Sequence, residues 1–493
     1  MKSHILLAVA VCFLFPFSCI NQAQKDEQLA QKYCGSCHVF PDPGLLDKNT
    51  WEKSVLPQMS FRMGIETSLL SSISPDDQLE VLRTIPGEPL VTPEQWESIR
   101  TYYLKNSPDS LGARTATISN IVEQFTPEPY TSIPEALTTF IKSDTGHNSI
   151  YVGSRLNKLY RLNEKFMLED SFLLASPPSF IRFSIDGDPI LSLMGIMDPN
   201  DQPKGEIIAL HEADHTKHQL IDSLKRPVYF EIVDLDQDGL EDMVVCAFGN
   251  YAGALIAFKN LGNGKFEKHT LQYLPGARKV IIRDIDNNGM ADILALMSQG
   301  DEKIITLLNQ GNFKFRINTI LRFPPVYGSS YFDVADFNSD GKFDILYTNG
   351  DNADYSMILK PYHGVRIFLN NGNNDFIESW FYNMHGASQA IARDFDLDGD
   401  LDIAAISFFP DFKKHAEQGF IYFENNGTEY VPQITAMAAT GRWLNLEAAD
   451  IDQDGDVDIL LGALNFYNGV PSELAQRWKD KNISIIVMRN KEH

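Results

Sequence analysis

DLDQDGLED at 234–242, DIDNNGMAD at 284–292, DFNSDGKFD at 336–344, DFDLDGDLD at 394–402 and DIDQDGDVD at 450–458 are five copies of one nine-residue pattern. Their starts lie 50, 52, 58 and 56 residues apart, so the repeating unit is much longer than the loop it carries. Each copy places oxygen side chains at positions 1, 3, 5 and 9, with Gly at position 6 for a sharp turn and a backbone carbonyl available at position 7. Hard oxygen donors in a tight loop favour calcium. The expected ligands are Asp234, Asp236, Asp238 and Asp242 in the first loop and Asp284, Asp286, Asn288 and Asp292 in the second. Asp336, Asn338, Asp340 and Asp344 serve the third, Asp394, Asp396, Asp398 and Asp402 the fourth, and Asp450, Asp452, Asp454 and Asp458 the fifth. These loops are shorter than an EF-hand loop and lie between β patterns, which excludes the helix-loop-helix arrangement. One acidic turn could be a solvated hairpin tip, but five in register point to bound cations.

Outward from each loop the pattern is constant. KVIIRDID enters the loop at 284, ADILALM leaves it, and KIITLLN and FKFRINTI follow across a turn, giving four strands per repeat. Turn residues near Asn263, Gly311, Gly372 and Asn426 separate third from fourth strands. Successive four-stranded units of this length predict a β-propeller. Two weaker units lie within 136–175 and 180–213, the second with a degenerate loop at Asp186 to Asp188. Two plus five units make seven blades, and residues 115–493 divided among them give about 54 residues each. The third strands end in Asn163, Asn260, Asn309, Asn370, Asn425 and Asn490, after which only three residues remain. The last blade therefore lacks a fourth strand of its own, and the spare segment Thr117 to Phe125 is expected to complete it beside Ser484 to Met488. The acidic repeats resemble the FG-GAP or VCBS family, known for calcium loops in integrin-type propellers, which implies up to five Ca²⁺ here.

Cys34-Gly35-Ser36-Cys37-His38 carries a second chemistry. Two thiols at this spacing can add to the two vinyl groups of haem, and the following His is placed to bind the iron. The competing readings are a dithiol redox motif or half a zinc site, but there is no second Cys pair and no thioredoxin-like βαβ context. Cys246, alone in an apolar strand, reads as a buried small hydrophobe. Ser74-Pro75 and the capping box Thr92 to Gln95 mark helix starts around the motif, and Trp96, Ile99 and Tyr103 recur at helical spacing. Residues 25–106 resemble class I cytochrome c domains, whose last helix packs across the first. No His follows His38 before residue 106, so the sixth iron ligand is expected from Met59 or Met63. The LPQM stretch resembles the ligand segment of related single-haem domains, which favours Met59.

Lys2, an apolar run from Ile5 to Phe15 and the Ser18-Cys19 pair read as an export signal. The run is too short to span a bilayer, which takes about 20 residues. Cleavage before Cys19 resembles that of bacterial lipoproteins, implying a lipidated Cys19, and ordinary signal cleavage nearby is the alternative. The expected organisation is a signal at 1–18, a tether at 19–24, a cytochrome c-like domain at 25–106, a linker at 107–114 and the propeller at 115–493. The fold class is thus multidomain: a small all-α domain, then an all-β seven-bladed propeller closed by an N-terminal strand.

With 42 basic against 66 acidic residues, the chain disfavours nucleic acid or an anionic bilayer as a partner, so any membrane association is expected through the lipid anchor alone. Loss of Lys2 with the signal gives 41 − 66 = −25, which five Ca²⁺ would bring to −15. The whole resembles exported lipoproteins of the periplasm or outer-membrane surface that join a single-haem cytochrome to an FG-GAP propeller. Two functions follow from that resemblance. One is an electron carrier, exchanging electrons with a redox protein or small reductant, whose propeller binds a protein or carbohydrate. The other is a haem-linked dehydrogenase whose propeller oxidises a sugar or alcohol. Long connections at 349–364, 408–419 and 465–482 share one face and offer Asp351, Asp354, Tyr355, Lys360, His363, Asp411, His415 and Arg477 for contact.

Overall fold

The aliphatic runs that follow the acidic loops, such as Asp292–Met297 and Asp402–Ser407, are buried along their whole length. Each is the second strand of a four-stranded antiparallel sheet, covered on both faces by neighbouring sheets, so no alternation of polar residues is needed. The structure, a computed structural model, describes residues 21–113, 115–352, 356–373 and 375–491. The expected signal and Cys19 lie outside the described residues.

Seven such sheets form a seven-bladed β-propeller. Blade 1 comprises Thr138–Asp144, Ser149–Ser154, Lys158–Asn163 and Leu168–Leu173, and blade 2 comprises Pro178–Phe183, Pro189–Leu193, Gly205–His211 and Thr216–Leu224. Blade 3 follows with Pro227–Val233, Asp242–Ala247, Ala254–Asn260 and Phe266–Gln272, and blade 4 with Ala277–Arg283, Asp292–Met297, Lys303–Asn309 and Phe315–Arg322. Ser329–Ala335, Asp344–Asn349, Gly364–Asn370 and Phe376–Asn383 make blade 5, and Ala387–Arg393, Asp402–Ser407, Phe420–Asn425 and Tyr430–Gln433 make blade 6. The first strand of every blade carries a register shift two residues into its pairing with the second, a bulge that bends the innermost strand at the same height in each sheet.

Blade 7 contains Trp443–Ala449, Asp458–Ala463 and Ile485–Asn490, and its outer strand comes from the N-terminal side, at Phe125–Tyr130. Closure by an N-terminal strand is as expected, but the segment is not. Phe125 pairs with Asn490 and Tyr130 with Ile485, whereas the stretch before it runs along blade 6, where Val122 N–H donates to the Ile434 carbonyl at 3.0 Å. The closing strand reads FTPEPY, and its Pro127 and Pro129 lack amide donors. An outermost strand pairs along one edge only, so prolines are tolerated there. Phe125, 1% exposed, fixes the register by inserting between Phe395 and Tyr422, at ring-centroid distances of 5.6 and 5.2 Å.

Ahead of the propeller lie α1 (Gln22–Cys34), the single turn α2 (Lys48–Thr50), α3 (Leu56–Arg62), α4 (Pro75–Leu82) and α5 (Pro93–Asn106). α1 starts within the expected tether, because Asn21 and Gln24 form a reciprocal capping box. Thr92 and Gln95 form the second box, as the sequence indicates. α5 packs against α1, and Ala30, Trp51, Val55, Ile99 and Tyr103 make the core between them.

This helical unit sits on the propeller face opposite the acidic loops. Those loops join first to second strands, whereas the helices meet connections at the other end of the strands. Asp77 of α4 accepts the Asp201 amide at 3.0 Å, and the Asp201 carboxylate, 1% exposed, in turn gathers the amides of Asn250, Tyr251 and Ala252. Lys225 pairs with Glu80 at 2.7 Å, and Arg62 lies over the Tyr251 ring. Val326, between blades 4 and 5, is part of the helical core itself.

Candidate functional site

Cys34 ends α1, Gly35 and Ser36 close the helix by donating their amides to the Gln31 and Tyr33 carbonyls, and Cys37 and His38 follow beyond this turn. Both cysteines are free thiols. Burial pushes the Cys34 thiol up to about 11, with the nearby Tyr103 hydroxyl pulling the other way. Cys34 is therefore a protonated thiol at neutral pH. Tyr103 is itself held by its hydrogen bond to the Pro41 carbonyl at 2.9 Å and by the Trp51 ring at 4.4 Å. Cys246 is fully buried in blade 3 with its thiol pKa raised by burial, in keeping with a packing role.

His38 Nδ1 lies 2.9 Å from the Val39 carbonyl, a bond that requires the proton on Nδ1 and leaves the Nε2 lone pair as the donor nitrogen. Burial holds the imidazole below its usual pKa, so the neutral, metal-binding form predominates. Asp301 and Arg322 of blade 4 also act on this ring, in opposite directions. Met59, on α3, and Met63, its C-cap, both belong to the apolar cluster that includes Cys34. Met63 is 7% exposed and packed into the core, and Met59 is half-buried at its edge. The donor set of two thiols, one imidazole with a free Nε2 and a thioether in an apolar shell fits haem c.

The five acidic loops share one backbone path. Position 4 is left-handed in each, at Gln237, Asn287, Ser339, Leu397 and Gln453, with φ between 57° and 61°. Position 6 is left-handed too, and there each loop has Gly, which adopts that conformation freely. The first Asp accepts the position-6 amide in every loop, from Asp234 with Gly239 at 2.9 Å to Asp450 with Gly455 at 3.2 Å. Position 5 accepts the amide of position 7. Backbone bonds thus aim the carboxylates inward. Oxygens of Asp234, Asp236 and Asp242 lie within 4.8 Å of one another, as do those of Asp284, Asp286 and Asp292. The same holds for Asp394, Asp396 and Asp398 and for Asp450, Asp452 and Asp454.

Asp242, Asp292, Asp344, Asp402 and Asp458, at position 9, are fully buried and tie each loop to its blade. One oxygen accepts the amide of the Asn that ends the third strand: Asn260, Asn309, Asn370, Asn425 or Asn490. Burial raises their pKa values, that of Asp402 to about 6. The Asn side chains complete the latch by donating to the position-8 carbonyls, and Asn309 also reaches Leu235 of blade 3 at 2.7 Å. The sequence marked these asparagines as strand ends. Their recurrence with the acidic loops was the signal for a joint role.

Three loops carry a cation of their own. Lys259 donates to Asp236 and Asp238, Lys342 to Asp340 at 2.7 Å, and Arg489 to Asp452 and Asp458 at 3.2 and 2.7 Å. Among the described residues, no Lys or Arg pairs with the loops of blades 4 and 6. In blade 7, Asp456 at position 7 is 1% exposed, with neither carboxylate oxygen hydrogen-bonded, beside Asp454, Asp458 and Asp452. Four carboxylates so placed repel unless a cation or proton intervenes.

The contact set expected on the opposite face divides. Asp351 and Arg477 are exposed and Asp411 and His415 half-buried, while Lys360 at 4% exposure and His363 at 0% are interior, and Asp354 and Tyr355 lie outside the described residues. The connection at 465–482 contains α6 (Ser472–Lys481), which buries Leu474 and Trp478 against Phe412.

The FG-GAP-like repeat model matches residues 234–295 and 284–347, the stretch from the loop of blade 3 to the second strand of blade 5. No curated protein matches the chain. Among solved structures, the Dos1 propeller is similar at 10% identity and a TM-score of 0.43, covering 72% of this chain and 80% of that one. The Myceliophteria thermophila Cps50 (Swd1) β-propeller domain gives 10% and 0.44, covering 68% and 96%, and the Neurospora crassa Pan2 WD40 domain 10% and 0.46, covering 76% and 98%. The chain is a seven-bladed β-propeller with FG-GAP repeats, preceded by helices.

Proposed function

We propose that this protein is an exported haem c electron-transfer protein whose calcium-stabilised propeller serves as the binding module for a redox partner or ligand. The observation that carries the reading is the His38 ring, with Nδ1 committed to the Val39 carbonyl and Nε2 left as a donor beside two unbridged thiols. Haem bound there would supply one-electron chemistry. Cys34 and Cys37 would hold it through two thioether bonds, and His38 Nε2 and the Met59 thioether would ligate its iron. Ala30, Val55, Ile99 and Tyr103 line an apolar interior that keeps water away, and burial with thioether ligation raises a haem potential, which suits electron transfer over oxygen activation.

In the propeller, the five acidic loops would hold calcium as structural sites, since all five backbones are fixed from within and the carboxylates of the loops in blades 3, 4, 6 and 7 lie close together. The dehydrogenase reading has less support. Lys142 pairs with Glu447, Arg182 with Glu231 and Asp333 with Lys279 and Arg393, each between the innermost strands of adjacent blades, so these charges engage one another rather than a substrate. Export and anchoring at Cys19, at the periplasmic or outer surface, rest on the sequence alone.

The test is optical. Protein matured in a cytochrome c-assembling host should show sharp reduced α and β bands on adding ascorbate, and should pass electrons to an oxidised small cytochrome. A featureless visible spectrum from correctly folded protein would overturn the reading.

A further inference from the structure

Arg322 closes the fourth strand of blade 4, and its guanidinium donates to the Cys37 carbonyl at 3.3 Å, 285 residues away in sequence. Asp301, in the connection between the second and third strands of the same blade, accepts from Arg322 Nε at 2.6 Å and from Lys303 Nζ at 2.8 Å. A side chain from the propeller thus touches the backbone between the second thiol and the iron-binding imidazole. Val326, four residues further on, is 7% exposed within the helical core beside Trp51, Met63 and Tyr103, so the exposed Arg322–Cys37 contact lies at the rim of a packed junction.

From this geometry we infer that Arg322 and Asp301 are positioning residues for the haem: the propeller supplies part of the proximal environment and sets the potential of the site. The inference rests on the haem reading above. A cation bonded to the Cys37 carbonyl draws electron density from the peptide that leads into His38 and favours the reduced iron, while Asp301 opposes it. These are outer-shell and electrostatic levers on a haem potential. The propeller is then electrically coupled to the electron-carrying site, and a ligand that moves the connection at Asp301 would alter the potential.

The test uses the full haem-loaded chain and three variants, with potentials from redox titration. Arg322→Met removes the cation and leaves Asp301, so the potential should fall. Asp301→Asn leaves Arg322 and Lys303 uncompensated, so it should rise. Lys225→Met breaks the ion pair with Glu80 of α4 and loosens the same interface without touching the haem motif, so it should leave the potential at the parent value. All three retain Cys34, Cys37 and His38 and should keep covalent haem. The inference fails if the first two variants shift in the same direction or not at all, or if Lys225→Met lowers the potential as much as Arg322→Met. A parent protein lacking haem would instead defeat the underlying reading.

Discussion

Met63 and Met59 lie four residues apart and serve the same apolar cluster, yet only Met63 is fully packed into it. Removing a buried Met side chain costs about 2–5 kcal/mol. Met63→Ala should therefore lower the melting temperature and leave the potential near its parent value, whereas Met59→Ala should keep covalent haem, lower the potential and spare stability. Redox titration beside a melting curve separates the two. Reversal of the two patterns would make Met63 the ligand. A second residue-scale expectation concerns Glu302, 2% exposed, whose carboxylate accepts the Gly328 and Ser329 amides. Burial, outweighing those bonds, raises its pKa from 4.5 to about 7. Between these values the folded state holds a proton that the unfolded chain releases, so this group's contribution to stability is full below pH 4.5 and is lost as pH rises to about 7. The loss is on the order of 3 kcal/mol. Denaturant titrations should show this decline in the parent and a flatter profile in Glu302→Gln, and parallel profiles would contradict the assignment. The Cys34–His38 motif could be singled out from the sequence because it is five consecutive residues. Arg322 and Glu302 could not, since their roles exist only once the chain brings distant connections together.

At the scale of the element, the acidic loops, the blade count and the long loops were readable because each repeats in register. The closing strand was not. Its two prolines are forbidden in an inner strand and harmless in an outer one, and which applies depends on its place in the sheet. A chain beginning at Arg114 keeps Phe125–Tyr130 and should remain soluble without the helices, whereas one beginning at Thr131 exposes the edge of Ile485–Asn490 and should aggregate. Light scattering of the two proteins decides it, and equal solubility would refute closure at this strand. The Asn latches give a milder test. Asn309→Ala removes donors to Leu235 and Ala291 and an acceptor for the Gly311 amide, so it should cost about 1–3 kcal/mol in unfolding free energy. An unchanged denaturation midpoint would show that the latch contributes nothing.

For the whole molecule, the acidic loops and the Cys34–His38 motif lie toward opposite faces of one ring, and the motif meets the blades through Arg322. Calcium held by the native loops as proposed, and not by the unfolded chain, would raise the melting temperature above that in chelator. The sites should differ: the loops of blades 4 and 6, without internal cations, should fill first, and Lys259→Met should tighten the blade 3 site roughly tenfold by removing a competing charge. Calorimetric titration of metal-free protein reads both, and a single class of five equal sites, unaltered by the variant, would contradict this ranking. The most direct measurement of the central claim is the intact mass of the mature protein under denaturing conditions, with thiol alkylation alongside. One covalently retained haem should appear, with Cys34 and Cys37 both blocked and Cys246 alone reacting. A mass without haem, with Cys34, Cys37 and Cys246 all alkylated, would contradict it.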